Sequence, residues 1–249
     1  ESESRGLGDV YKRQVFILPI ITAILIGVTY SLLGTSGTDS AFEVWMQQNP
    51  VEVSILSDEK TIISPVESAV SYLITVPLQI WFIFWLLRRR KIDLSKNLGL
   101  YHFNRNALIY SLVAYLILYL VLTAYSYAFQ ISPPEEFIKL MQATPFVLNF
   151  LMVVIGAPIV EELLFRGFLF SQLKTTKLGI NGSIILTSLI WTSIHLQYDL
   201  FLLIPIFLIG LLLGYLMHKY NSLYLVIIVH AVHNLQATLF IEFFYDYFY

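Results

Sequence analysis

The chain contains no cysteine, and this absence removes two kinds of chemistry at once. No disulfide bond can form, and no thiolate is present to bind a metal ion. The zinc-protease helix motif HExxH is also absent from the sequence. The sequence shows no internal repeat and no low-complexity tract. Any metal site would therefore be built from histidines and carboxylates.

Charged residues are scarce as well. They make up 13% of the 249 residues, whereas 57% are hydrophobic. A soluble domain has roughly 25% charged residues. So few charges cannot cover a water-facing globule, and the composition predicts a polytopic membrane protein. The net charge of −2 says little about partners. We expect the lipid bilayer as a partner because of the composition, and no nucleic acid.

Long apolar runs predict the architecture, because a spanning helix needs roughly 20 apolar residues. Seven windows qualify: Val15–Leu33, Val66–Leu87, Ala107–Phe129, Pro145–Leu173, Ile180–Leu196, Leu200–Met217 and Leu223–Phe244. We therefore predict an all-α bundle of about seven transmembrane helices. Residues 1–14 include a segment that resembles a translated sequencing adapter. We expect a non-native or disordered leader there and exclude it from the fold.

Loop charges predict the orientation, because cytoplasmic loops carry an excess of Lys and Arg. Three loops on one predicted side hold Arg88, Arg89, Arg90, Lys91, Lys96, Arg105, Lys174, Lys177 and Lys219. The opposite side receives only Lys60 and Lys139, together with acidic residues that include Asp39, Glu43, Asp58, Glu59, Glu135 and Glu136. We therefore expect a multi-pass protein of a bacterial cell membrane, with a cytoplasmic amino terminus and an external carboxyl terminus.

The later spans contain few strongly polar side chains, and an ionised one costs at least ~2.5–3.5 kcal/mol in hydrocarbon. They are Glu161, Glu162 and Arg166 on the fourth span, His195 on the fifth, and His230, His233 and Asn234 on the seventh. The helical rise places Glu161 and His195 roughly 20 Å from the cytoplasmic ends of their helices. His230 and Asn234 lie about 12 and 18 Å deep. We therefore predict that these groups meet.

Helical phase predicts which side chains pair. Glu162 and Arg166 are four residues apart and share a helix face, so we expect an ion pair. Glu161 is rotated by about 100° from Glu162 and is left free to act on another molecule. His230 and Asn234 also share one face, whereas His233 points elsewhere.

Two further features concern the backbone. Pro158 removes a helix hydrogen bond just before the carboxylates and is expected to kink the fourth span. Gly210 and Gly214 form a GxxxG pair that lets another helix approach closely.

Two mechanisms fit this set of residues. A glutamate can take a proton from water, while neutral His and Asn hold the water or stabilise an oxyanion. Alternatively, Glu161, His195 and His230 form an adequate zinc ligand set with an open position. The sequence leaves both open, so the expected cofactor is none or zinc. Structural roles are the alternative: a Glu162–Arg166 clasp, an interfacial His195 and Asn234 as interhelical glue.

Three motifs carry a resemblance to a known family. They are EExxxR at Glu161–Arg166, FxxxH at Trp191–His195 with Trp in place of Phe, and HxxxN at His230–Asn234. In this order they resemble the CPBP family of type II CAAX prenyl proteases and of bacteriocin-processing and lysostaphin-resistance-protein-A-like membrane proteins. The similarity covers roughly residues 107–244. We divide the chain into the leader 1–14, two amino-terminal helices at 15–106 and a protease core at 107–249.

The resemblance implies an intramembrane endopeptidase whose site opens to the cytosol and whose partner is a peptide or protein substrate. It implies that Glu161 activates water with help from His195, that His230 and Asn234 bind the water or the oxyanion, and that Glu162 and Arg166 support the site. The Trp191 replacement keeps an aromatic ring and is expected to change little. For a bacterial protein, the resemblance favours processing of a bacteriocin or pheromone precursor, or bacteriocin immunity. The rivals are a proton-coupled transporter and a nonenzymatic immunity or scaffold protein.

Overall fold

A computed structural model describes residues 94–195 and 198–248, together with scattered positions between 74 and 88. Across these residues the chain is helical and has no strand. The helices are α1 (Leu94–Leu98), α2 (Arg105–Phe129), α3 (Glu135–Ala143), α4 (Phe146–Leu173), α5 (Gly179–Ser193), α6 (Leu200–Tyr220), α7 (Leu223–Phe243) and α8 (Tyr245–Phe248). The predicted span Val15–Leu33 lies outside the described residues. The described positions within Val66–Leu87 are helical.

Four of these helices, α2, α4, α6 and α7, are long and apolar enough to cross a membrane. Their exposed positions are largely apolar, as on α2, where Ile109, Leu116 and Leu120 face outward. Exposed aliphatic side chains of this kind suit a lipid environment, in which they need no polar cover. The chain is therefore a multi-pass, all-helical membrane protein, as the sequence predicted.

The fifth predicted span is shorter than expected. We predicted Ile180–Leu196, but α5 ends at Ser193 after 15 residues. A helix of that length extends about 22 Å, less than the hydrocarbon thickness of about 30 Å. The chain then turns at Ile194 and His195, and Asp199 caps the start of α6 by accepting a hydrogen bond from the Leu202 amide at 2.9 Å.

Helix α4 is interrupted twice by wider turns. It is α-helical at Phe146–Asn149, Ala157–Glu162 and Phe170–Leu173, and π-helical at Phe150–Gly156 and Leu163–Leu169. π turns are rare and occur often at functional sites. The glutamate pair therefore lies at the end of a short α-helical segment between two π segments. Pro158 lies in the first turn of the α-helical segment that follows the first π segment, and the kink expected there stays a prediction.

The predicted GxxxG contact is present between α5 and α6. A Cβ atom at Gly210 would lie 3.1 Å from Cβ of Ser188, and one at Gly214 would lie 3.0 Å from Cγ2 of Ile184. The absence of both Cβ atoms allows the two backbones to approach closely. This contact packs α5, which contains Trp191, closely against α6.

Short segments close the two ends of the bundle. At one end, the fully buried Leu98 of α1 packs near Gly167, and the Gly99 carbonyl accepts a 2.8 Å hydrogen bond from the Leu223 amide. At the other end, α3 packs Ile138 and Met141 against Ile241 of α7. The core between these ends is the environment of the polar cluster.

Candidate active site

The three charged residues of α4 are buried almost completely. The exposed fraction is 5% for Glu161 and 0% for Glu162 and Arg166. A buried ion pair is costly to break, because the remaining charge would be left unpaired in a medium of low dielectric constant. Nη1 of Arg166 donates a 2.8 Å hydrogen bond to Oε1 of Glu162, as the four-residue spacing predicted. The other terminal nitrogen, Nη2, donates to the Gly210 carbonyl of α6 at 3.1 Å.

Glu162 also contacts α7. Its Oε1 lies 2.8 Å from Nδ1 of His230. A carboxylate can only accept, so the imidazole proton is assigned to Nδ1, and Nε2 of the neutral ring is left as an acceptor. This Nε2 lies 4.0 Å from Oε2 of Glu161. Glu162 therefore sets the tautomer and the direction of His230, and the free nitrogen of the ring faces Glu161.

Glu161 has a hydrogen-bond partner that the sequence analysis did not identify. Nε1 of Trp191 donates to Oε2 of Glu161 over 2.6 Å, and both side chains are buried. The sequence analysis noted only that Trp191 keeps an aromatic ring, whereas the indole also supplies an N–H donor that phenylalanine lacks. The only signal in the sequence was the replacement of Phe by Trp in the second motif.

His195 lies beside this tryptophan but not on the helix where we expected it. It occupies the turn that follows α5, and its backbone N–H donates to the Thr192 carbonyl at 2.9 Å. Its Nδ1 lies 3.0 Å from the Trp191 carbonyl oxygen, which accepts only, so the proton is assigned to Nδ1. The ring also meets the indole edge to face at a centroid distance of 5.3 Å. Like His230, His195 presents Nε2 as an acceptor.

Asn234 reaches α4 through the carbonyl group that Pro158 leaves free. In the π segment, the Ala157 amide donates to the carbonyl of Met152, five residues earlier. The next donor in that register would be residue 158, which is proline and has no N–H. The carbonyl of Val153 instead accepts a 2.7 Å hydrogen bond from Nδ2 of Asn234. One amide hydrogen of Asn234 is thus used for positioning, and the other remains available.

His233 points away from this cluster, as the helical phase predicted. Its Nδ1 lies 3.3 Å from the hydroxyl oxygen of Tyr115 on α2. The same hydroxyl donates to Oε1 of Gln236 over 3.5 Å. The two faces of α7 therefore have separate polar contacts, with His230 and Asn234 facing α4 and His233 facing α2.

The zinc alternative can be tested against this geometry. The proposed ligands were Glu161, His195 and His230. Within the described residues, no three His, Cys, Asp or Glu side chains are placed to share one metal ion. In addition, the N–H of Trp191 points at the Glu161 oxygen nearer to His230. The residues as placed do not fit a zinc site, and we derive no step through a metal.

Comparison with known proteins identifies the family pattern. Residues 143–236 match the sequence model of the family described as Rce1-like, type II CAAX prenyl endopeptidase. The matched range contains all three motifs, from the glutamate pair to Asn234. Neither a curated protein nor a solved structure matches the chain. The match confirms the resemblance that the motifs indicated.

Fold, site and match together define the class of protein. The chain is a multi-pass helical membrane protein, and the segment that carries its buried polar cluster has the sequence pattern of type II CAAX prenyl endopeptidases. This supports an intramembrane protease that acts on a peptide or protein substrate.

Proposed function

We propose that the chain hydrolyses a peptide bond of a membrane-associated protein or small peptide, and that Glu161 activates the attacking water. The observation that carries this proposal is the distance of 4.0 Å between two acceptor atoms, Oε2 of Glu161 and Nε2 of His230. Hydrogen bonds to Trp191 and Glu162 hold the two groups in place. Two acceptors at this separation can be bridged by one water that donates a hydrogen to each.

The orientation of such a water suits nucleophilic attack. Its two hydrogens point at Glu161 and His230, so its oxygen lone pairs point away from both acceptors. A scissile carbonyl carbon placed on that side meets the lone pairs directly. His195 presents a further acceptor from the turn after α5, and this nitrogen can accept a hydrogen bond from the amide N–H of the substrate.

The chemical steps conserve atoms and charge. Glu161 takes one proton from the water as the water oxygen bonds to the carbonyl carbon, and the carbonyl oxygen becomes negative. The remaining amide hydrogen of Asn234 can donate to this oxyanion. The C–N bond then breaks, and the protonated Glu161 returns its proton to the leaving nitrogen. The products are a carboxylic acid and an amine.

The proposed substrates are short peptides held at the membrane, either a CAAX-type carboxyl terminus or a bacteriocin or pheromone precursor. The same cleavage could support bacteriocin self-immunity. The family pattern supports the first class. The second follows from the proposed bacterial origin, since bacteria generally lack prenylation. A panel of prenylated and unprenylated peptides with the purified protein separates the two classes.

The direct test is Glu161→Gln, which keeps the size of the side chain and an oxygen for Trp191 to bond. We expect cleavage to fall by about 10²–10⁴-fold, the usual cost of losing a general base, while the protein still inserts and folds. The matched control is Glu135→Gln, which changes an exposed carboxylate on α3 that pairs with Lys139 at 2.7 Å. Wild-type rates in Glu161→Gln would refute the assignment.

A further inference from the structure

Trp191 contacts four other residues of the site. Besides the bond to Glu161, its ring meets His230 edge to face at 5.3 Å and has the Arg166 guanidinium carbon 4.8 Å from its centroid. Its carbonyl oxygen orients His195. An aromatic ring that only filled space would explain the ring contacts, but it would not explain a 2.6 Å hydrogen bond.

We infer that Trp191 is a positioning residue for the proposed reaction: its indole N–H fixes the Glu161 carboxylate in the orientation that faces His230. The inference rests on the proposed function and assigns a role to a position that the second motif describes only as aromatic. A glutamate side chain has three rotatable bonds, so an unanchored carboxylate would sample several orientations. The bond to Oε2 removes that freedom at the oxygen that lies nearest to His230.

The tryptophan itself is held rigidly. A Cβ atom at Gly210 would lie 3.1 Å from Cε3 of Trp191, so the indole packs directly against the backbone of α6. The Arg166 guanidinium lies over the ring, and its Nη2 donates to the carbonyl of that same glycine. The orientation of the Glu161 carboxylate is therefore set by α5 and α6 together, and not by α4 alone.

The energetic role differs from simple packing. A hydrogen bond to a charged group is stronger than one between neutral groups, and it offsets part of the cost of removing a carboxylate from water. Phenylalanine at this position keeps an aromatic ring next to the two imidazoles and Arg166, but it removes the donor together with one of the two fused rings. Trp191→Phe therefore removes the hydrogen bond while keeping part of the packing.

The first test does not depend on catalysis. Tryptophan labelled with ¹⁵N on the indole should give four N–H signals from the full chain in detergent, since the chain has four tryptophans, and Trp191→Phe assigns one of them. We expect the Trp191 proton to resonate downfield of an exposed indole and to move upfield in Glu161→Ala. It should stay in place in Glu135→Gln. A Trp191 signal that ignores Glu161→Ala would overturn the inference.

The second test measures positioning. We expect Trp191→Phe to lower kcat by about tenfold to a hundredfold, the loss of one charge-assisted hydrogen bond, with KM nearly unchanged. Trp81→Phe is the control for loss of a tryptophan, because Trp81 is exposed and stacks on Trp85 with the ring centroids 6.2 Å apart. Wild-type kcat in Trp191→Phe would reduce the indole to a packing role. Wild-type kcat in Glu161→Gln would instead refute the proposed function, while the indole signal would still report the bond.

Discussion

Oε1 of Glu162 lies 2.8 Å from Nδ1 of His230. The same oxygen accepts the 2.8 Å hydrogen bond from Arg166, so one atom joins α4 internally and connects it to α7. Because Arg166 continues to the Gly210 carbonyl, a single chain of hydrogen bonds runs from α7 through α4 to α6. The second glutamate of the EExxxR motif therefore has a structural and an orienting role at the same time.

Because Glu162 has both roles, variants of this ion pair should affect stability and cleavage differently. We expect Arg166→Ala to reduce both, because Glu162 would be left as an unpaired buried charge and breaking a buried pair costs ~3–5 kcal/mol. The double variant Glu162→Gln with Arg166→Gln removes both charges and should recover part of the lost thermal stability. Cleavage should not recover fully, because the double variant replaces the Glu162 carboxylate that orients His230 with a neutral amide. Thermal unfolding and cleavage rates, measured together, test this separation.

Two results would contradict the scheme. A double variant no more stable than Arg166→Ala would mean that the ion pair contributes nothing to the fold. A double variant that regains full cleavage would mean that the orientation of His230 does not depend on the negative charge of Glu162.

Pro158 gives a prediction in which stability and activity move in opposite directions. In Pro158→Ala, the new N–H at position 158 can donate to the Val153 carbonyl and compete with Asn234. A proline inside a helix costs ~3 kcal/mol or more, so we expect the melting temperature to rise. We expect cleavage to fall by about tenfold, because Asn234 would lose its anchor of roughly 1 kcal/mol.

The matched control is Pro205→Ala, which changes the proline inside α6. It should also raise stability but should leave cleavage unchanged. If Pro158→Ala is as active as the wild type, the freed carbonyl has no functional role.

The two glycines of α6 form another matched pair. In Gly210→Ala the new Cβ would press on Trp191, whereas in Gly214→Ala it would press on Ile184, outside the polar cluster. Overpacking costs ~1–3 kcal/mol, so both variants should be destabilised to a similar degree. Only Gly210→Ala should also lower kcat, because it displaces the indole that holds Glu161. Equal kcat values in the two variants would show that the indole position tolerates this shift.

The sequence predicted the contacts that depend on local helix geometry. The pair of Glu162 and Arg166 follows from a four-residue spacing, and the common direction of His230 and Asn234 follows from the same rule. The partners of these residues were not predictable in atomic detail, because they depend on how whole helices pack.

Each feature that was missed has its own physical cause. The Trp191 N–H reaches Glu161 across two helices while the indole packs against Gly210 of a third, so this bond depends on how α4, α5 and α6 pack. The anchor of Asn234 requires a π register, and a search for the 3.6-residue period cannot detect one. His195 was placed on a helix because its surroundings are apolar, although the chain turns there.

The last prediction concerns metal. The residues at the site do not gather three ligands within the described part of the chain, and the donor of Trp191 engages the carboxylate that a zinc ion would need. We therefore expect purified active protein to contain no stoichiometric zinc by elemental mass spectrometry, and cleavage to survive exhaustive chelation. The hydrogen bonds from Nδ1 of His195 and His230 would orient both rings as zinc ligands equally well. The experiment therefore decides between the glutamate and the zinc mechanism. Stoichiometric zinc, with activity lost on removal and restored on addition, would reassign Glu161, His195 and His230 as ligands. The proposed peptide hydrolysis would stand.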